Sequence, residues 1–214
     1  MIRLGMGLGP MRHDYRAGEL DDAGAEPLLV LRSWIDEAEA AGHEEPNAMA
    51  IATASADGVP SLRMVLLKGL TETSLTFFTN YSSRKGLELS ANPNAAALFW
   101  WPQLERQVRV EGVVERSTRE ASEAYFRTRP RGSQIGAWAS HQSSEIAGRE
   151  VLEQRGDELH ASFAAGEIAC PPFWGGFVLT ARRVELWQGR ADRLHDRLVY
   201  RREGLNWRLS RLSP

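Results

Sequence analysis

Met49-Ala-Ile-Ala-Thr-Ala54, the pair Asp57-Gly58, and Leu62-Arg-Met-Val-Leu-Leu-Lys68 form the stretch whose reading decides the fold. Two short runs rich in β-branched and apolar residues flank a dipeptide that favours tight reversal, which predicts a β-hairpin. Downstream, Leu75–Thr79, Ala95–Trp101 and Val108–Glu115 read as three further strands. Gly176–Thr180, Val184–Gln188, Leu198–Arg201 and Trp207–Leu209 read as four more. Upstream, Leu28, Leu31, Trp34, Ile35 and Ala38 recur at three- and four-residue steps between Pro27 and Gly42, one face of a helix. Further helices are predicted at Ser83–Leu89, from Thr118 to about Arg127, and over 145–165 with Ile146, Val151, Leu152, Leu159 and Phe163 as the apolar face. Short antiparallel strands with interspersed helices point to an α+β, β-barrel-dominated domain. Residues 1–26 are polar and glycine-rich and are expected to have little structure of their own.

Composition bounds the function. The 214 residues carry 26 Lys and Arg against 28 Asp and Glu, a net charge of −2. That balance argues against a generally basic nucleic-acid binder while leaving room for a local basic pocket. A single cysteine, Cys170, excludes an internal disulfide framework and any multi-thiolate metal site. Apolar runs fall short of the roughly 18 residues of a membrane span, and Met1–Pro10 lacks the apolar centre of a signal peptide. A cytoplasmic location without membrane or nucleic-acid partners is the expectation.

Common catalytic signatures do not appear. There is no Gly-Lys-Ser/Thr phosphate loop and no Gly-x-Ser-x-Gly elbow. Gly5, Gly7 and Gly9 follow no strand and precede Pro10, which is a poor dinucleotide fingerprint. The five histidines show no i, i+4 pair, so no metal site is expected.

Basic residues in apolar or helix-initial settings carry more information. Arg63 and Lys68 bracket Met64-Val-Leu-Leu67, and strand alternation points the two cations to opposite faces. Taken alone, that pattern is explained better by an edge strand with solvated ends. Ser83-Arg84-Lys85 opens a predicted helix, where cations oppose the dipole unless an anion also binds. Arg127-Thr-Arg129-Pro-Arg131-Gly-Ser133 follows Tyr125 with more donors suited to a phosphate monoester. Composition and spacing thus reach an anion pocket, or two.

These segments, in order, resemble the pyridoxine (pyridoxamine) 5′-phosphate oxidase family over nearly the whole chain. The resemblance rests on Arg12-x-x-Tyr15, Arg63–Lys68, Phe77-Phe-Thr-Asn80, Ser83-Arg-Lys85 and Arg106-Gln-Val-Arg109. It continues through Tyr125-Phe-x-x-Arg129-Pro, Ser133-Gln-Ile-Gly-Ala-Trp138 and Gln142-Ser143. It ends with Trp174-Gly-Gly176, Glu185-x-Trp187-Gln-Gly189, Arg193-Leu-His-Asp-Arg197 and Arg211-Leu-x-Pro214.

The resemblance implies an FMN-binding split β-barrel over 27–214, a homodimer with FMN at the subunit interface, and residues 1–26 as a flexible cover of the active site. It implies FMN contacts from Arg63, Met64, Val65, Leu66, Leu67 and Lys68, from Phe78, Thr79, Arg84 and Lys85, and from Gln107, Gln142, Ser143, Trp187 and Arg197. Lys68, Tyr125, Arg129 and Ser133 would hold the substrate's 5′-phosphate. Arg193 and His195 would face the substrate ring as the catalytic pair, with Arg12 and Tyr15 folding over it. The implied reaction oxidises pyridoxine 5′-phosphate or pyridoxamine 5′-phosphate to pyridoxal 5′-phosphate, by hydride transfer to flavin N5 with O2 reduced to H2O2. A related flavin oxidase acting on a phenazine precursor, or a non-catalytic FMN or pyridoxal phosphate carrier, are the alternatives. The chain departs from the family pattern in having Phe78 where Tyr is common and Gly86 where Ala is usual. Trp100, Trp101, Trp138 and Trp174 read as core or interface residues, and Glu185 as a structural partner for an arginine.

Overall fold

In a computed structural model, which describes residues 14–164 and 166–214, the strands form one curled antiparallel sheet. β1 (Ala48–Ala54) and β2 (Pro60–Leu66) make the predicted hairpin, with Ala54 opposite Pro60 and Ile51 opposite Arg63. The loop is five residues, closed by Ser55 N–H to the Val59 carbonyl, and Gly58 supplies the positive φ of 87° it requires. Beyond β2 the chain passes into β3 (Gly69–Leu70), which pairs with β4 (Ser74–Asn80). β4 lies at the far side of the order β2-β1-β5-β6-β7-β4-β3, so this passage curls the sheet into a barrel. β5 (Asn94–Trp101) and β6 (Arg106–Arg116) complete that wall.

The two strands expected at 176–180 and 184–188 are one, β7 (Trp174–Gln188). Its register with β6 shifts between Glu111 and Gly112, where Arg182 is the extra residue. A bulge breaks side-chain alternation at that point, which is why the sequence reads as two strands. β7 pairs with β6 along one edge; along the other it pairs with β4 in its first half and with β8 (Asp196–Glu203) in its second. β9 (Asn206–Arg211) closes against β8.

α1 (Pro27–Ala40) buries Leu28, Leu31, Trp34, Ile35 and Ala38, the face its periodicity predicts. These side chains join Met49, Ile51, Phe77, Phe99, Trp101, Leu179 and Leu186 in the main core. Each Leu, Ile, Met or Phe among them contributes about 1.5–3 kcal/mol through removal from water. Ser83 caps α2 (Arg84–Ala91) and Thr118 caps α3 (Arg119–Thr128), each hydroxyl accepting from the third residue beyond it.

α4 (Arg131–Ala139) is not among the predicted helices: Gly132 and Gly136 lower its propensity and no side chain caps it. Pro130 before it, and Ile135 with Ala139 one turn apart and buried, are the available signals. α5 spans Glu150–Ser162, shorter than the predicted 145–165, and none of its residues is fully buried. Leu159 and Phe163 only flank a second cluster of Phe126, Ile135, Ile168, Cys170 and Trp174.

A Cβ at Gly112 would run into the Thr180 carbonyl across the bulge. Gly112→Ala is therefore expected to destabilise the fold by about 1–3 kcal/mol, the usual cost of overpacking. Chemical denaturation checks this, and a loss below about 0.5 kcal/mol, the scatter of an ordinary surface change, would contradict the packing of this bulge.

Candidate active site

One cavity of about 620 Å³ opens where β2, β4, α3 and α4 converge. Its size lies within the range of small-molecule sites. Met64, Val65, Leu66 and Lys68 line one side, while Phe78, Thr79 and Lys85 form the back. Tyr125, Arg129 and Ser133 project from α3, its end and α4, and Gln142 closes the rim. Eleven of the sequence-predicted residues thus meet in one cavity. Thr128, Asn80, Ser140 and Trp174 also line it, although the sequence does not predict them there. Trp174, expected to serve packing, does both: it is buried in the second cluster and forms cavity wall.

Lys68 lines the cavity just beyond the end of β2, while Arg63 turns away from it and donates to Thr53 Oγ1 at 2.6 Å and the Ile51 carbonyl at 3.2 Å. Arg63 also pairs with Glu88 at 3.3 Å, and Arg84, one turn before Glu88 on α2, pairs with it at 2.8 Å. Burial opposes the Glu88 charge, but hydrogen bonds from Ser61, Thr53 and Arg84 outweigh it and hold the carboxyl at about 2. Glu88 therefore anchors two of the expected cofactor cations; its link to Arg63 leaves no trace in the sequence because that partner lies on another element, β2.

Lys85 is buried, its Nζ 2.9 Å from Thr79 Oγ1, 3.0 Å from Gln142 Oε1 and 3.4 Å from Ser83 Oγ. All three are neutral acceptors. Burial, helped by the nearby Arg63 charge, lowers its pKa from 10.5 to about 8. Arg129 stacks over the Trp174 ring at 4.8 Å, and its Nη1 is buried with no hydrogen-bond partner among the described residues. Burial lowers its pKa as well. A buried guanidinium N–H and a desolvated ammonium are costly unless an anion joins them. Phe78 stacks on Tyr125 at 4.0 Å and on Trp174 at 5.5 Å, so the missing hydroxyl is replaced by an aromatic wall.

A second cluster lies at the other end of β7. Trp187 packs with His195 at 4.6 Å, Tyr15 at 5.6 Å and Trp100 at 6.0 Å. Gln107 stands opposite Trp187 on β6. Arg197 makes two 2.8 Å contacts to Glu185 Oε1, and Glu185 also holds Arg109 and Arg183. Burial opposes ionisation of Glu185, but hydrogen bonding from Arg197 and the surrounding guanidinium charges win and lower its pKa.

Arg193 and His195 do not share a strand face, as their spacing suggests. Gln188 pairs with Asp196, so residues 189–195 are the connecting loop. Asp192 and Arg193 there take positive φ of 54° and 64°, a left-handed backbone that non-glycine residues rarely adopt. His195 Nδ1 accepts from Arg190 N–H at 3.1 Å, which leaves the ring proton on Nε2; burial and the Arg193 charge lower its pKa. Arg84 and Ser143 are exposed beside the cavity, and Leu67 is buried behind it with its N–H bound to the Asn47 carbonyl. Arg12 lies outside the described residues.

Among the described residues, none of this second cluster around Trp187 lines the cavity. Trp174 and Trp187 are thirteen residues apart on β7, about 40 Å of strand path at 3.3 Å per residue.

A phosphate monoester bound beside Lys85 favours the charged amine. In the free protein that amine loses its proton near pH 8, so binding above this pH takes up a proton and weakens by on the order of tenfold per pH unit. The same shift makes the ligand-free fold gain stability as pH rises from 8 towards 10.5, where only the unfolded chain still holds the proton. Calorimetry in two buffers of different ionisation heat checks the uptake. A pH-independent affinity from 7 to 9.5 would contradict this reading of Lys85.

Two family models match the chain: pyridoxamine 5′-phosphate oxidase over residues 35–163, and the pyridoxine 5′-phosphate oxidase C-terminal dimerisation region over 174–214. The pyridoxine/pyridoxamine 5′-phosphate oxidase of Cupriavidus taiwanensis is 53% identical over 210 residues, covering 97% of this chain and 99% of the relative. That of Rubrobacter xylanophilus is 53% identical over 209 residues, covering 97% and 96%. Among solved structures, PhzG from Burkholderia lata in complex with tetrahydrophenazine-1-carboxylic acid superposes with a TM-score of 0.85 at 32% identity, covering 91% of this chain and 95% of that one. An FMN-binding protein related to pyridoxamine 5′-phosphate oxidase from Nostoc punctiforme shares the fold at a TM-score of 0.70 and 17% identity, covering 90% of this chain and 100% of that one. With matched models running from the first helix to the last residue and a relative identical at half its positions, this chain is an enzyme of the pyridoxine/pyridoxamine 5′-phosphate oxidase family.

Proposed function

We propose that this enzyme is a cytoplasmic homodimer that oxidises pyridoxine 5′-phosphate and pyridoxamine 5′-phosphate to pyridoxal 5′-phosphate with FMN. The observation that carries the substrate reading is the cationic cavity end, where Arg129 presents a buried, unpartnered N–H beside Tyr125, Ser133 and Lys68. A doubly charged phosphate satisfies that set. The donor chemistry also fits FMN. Lys85, with Arg84 exposed beside it and steadied by Glu88, suits the flavin phosphate. β2 ends the sheet order, so alternate backbone groups of Met64–Leu66 face away from β1 and suit the edge of a flat ring.

FMN held in this cavity would supply the redox chemistry, a two-electron oxidation of the substrate's C4′ carbon with O2 as the final acceptor and H2O2 as its product. The protein's own residues hold and orient. Lys68, Tyr125, Arg129 and Ser133 fix the substrate phosphate. The Phe78–Tyr125–Trp174 wall keeps that end of the cavity apolar. His195 offers its Nε2–H, and Arg193 its cation, to oxygens of the substrate ring. Because β7 carries the two clusters at opposite ends, a complete site takes one from each of two chains. The C-terminal region matched as a dimerisation region, and the exposed Leu62, Met64 and Trp100, support that assembly.

The resemblance to PhzG supports a second reading, oxidation of a phenazine precursor. Mixing FMN-loaded enzyme anaerobically with each candidate separates them. Pyridoxine 5′-phosphate is expected to bleach the flavin band, with colour and pyridoxal 5′-phosphate returning in air; unphosphorylated pyridoxine is expected to do so poorly. A band that stays yellow with both phosphorylated substrates would overturn the proposal. Arg129→Ala is expected to raise KM about 10–100-fold, as for one charged hydrogen bond, with kcat little changed because ground-state binding is lost.

A further inference from the structure

Glu105 is a buried carboxylate with no part in the roles above. It comes directly after the short 3-10 turn Pro102–Leu104 that joins β5 to β6, and its φ of 53° lies in the left-handed region. Such backbone strain in a non-glycine residue persists only where its surroundings enforce it. Its Oε2 accepts the backbone N–H of Arg16 at 2.6 Å and of Ala17 at 2.7 Å. Its carbonyl accepts Gly189 N–H at 2.7 Å and Gln188 Nε2 at 3.3 Å. One residue therefore ties the N-terminal segment to the base of the 189–195 loop.

The tie sets the packing around Trp187. Tyr15, next to the clamped peptide, sets its ring edge-on to Trp187 and at 5.5 Å from His195. The ring lies over Gly189, where an added Cβ would come within 2.7 Å of Tyr15 Cγ, so that glycine provides the space. The segment 14–26 forms no helix or strand; farther along it is tied by Leu20 N–H to Asp196 and by Glu19 to Arg190, while Glu105 takes the two amides directly after Tyr15. A charged acceptor taking two amide donors is stronger than a neutral one.

We infer that Glu105 is a positioning residue: its carboxylate latches the chain at Arg16–Ala17 and so fixes Tyr15 against Trp187 and His195, setting the face they present to the substrate ring. The substrate part of this inference rests on the proposed oxidase function; the latch itself does not.

The Arg16–Ala17 bond is a tryptic site inside the latch, which gives a readout independent of turnover. In the full-length FMN-loaded protein, Glu105→Ala is expected to speed trypsin cleavage there by at least about tenfold, as local opening becomes cheaper. It should raise KM for pyridoxine 5′-phosphate by about tenfold while changing kcat far less. Glu105→Gln keeps an oxygen acceptor without the charge and should fall between; it also serves if the alanine variant does not fold. Cleavage at the wild-type rate in both variants would overturn the latch. Faster cleavage with KM unmoved would overturn the positioning role. If the wild-type protein oxidises neither phosphorylated substrate, the oxidase reading fails and the positioning claim with it, while the cleavage rates still decide the latch.

Discussion

Everything in this fold depends on how β7 is paired. Fifteen residues run unbroken from Trp174 to Gln188, hydrogen-bonded to β6 on one edge and to β4 then β8 on the other. A strand paired on both edges cannot slip in register without exposing its core face. Leu179, Val184 and Leu186 are fully buried, so that face is fixed. The consequence is functional as much as structural. Trp174, beside the cationic cavity, and Trp187, beside His195, stand near opposite ends of this one doubly paired strand.

The second constraint is electrostatic. Lys85 and Arg129 are desolvated, and both have their pKa lowered by burial. Their nearest partners are neutral groups or aromatic faces. Elsewhere the chain places buried carboxylates against its arginines: Glu88 holds Arg63 and Arg84, and Glu185 holds Arg109, Arg183 and Arg197. The contrast separates cations positioned by the protein from cations left for a ligand. A cavity of the second kind destabilises the empty fold and is stabilised when an anion binds, so ligand affinity and folding are linked through the same groups.

Much of this is legible in the sequence and some is not, for physical reasons. The hairpin, the α1 face and the helices that begin at Ser83 and Thr118 depend on local periodicity and local hydrogen bonds, and they appear where predicted. Arg63 and Lys68 also point to different sides, as their spacing suggests. The bulge at Arg182 interrupts alternation, so β7 reads as two strands. Arg193 and His195 look like strand neighbours because a two-residue spacing does not reveal a left-handed loop. Glu88 to Arg63, Glu185 to Arg109 and Glu105 to Arg16 act across 25, 76 and 89 residues of sequence, and pairings of that range leave no local trace. Phe78 is the reverse case: its departure from the family residue is visible in the sequence, but only the stacked neighbours show what the bare ring does.

Mixed dimers test most directly whether one complete site draws its two clusters from two chains. A chain carrying Arg129→Ala with Lys85→Met lacks one cluster, and a chain carrying Arg197→Ala with His195→Ala lacks the other. Each alone should be nearly inactive. After co-refolding, half of the dimers are mixed and one of the two sites in each is intact, so activity should recover to about one quarter of wild type for a two-fold symmetric pair. If the mixture stays as inactive as its parts while mixed dimers form, both clusters serve the same chain and the shared site is wrong.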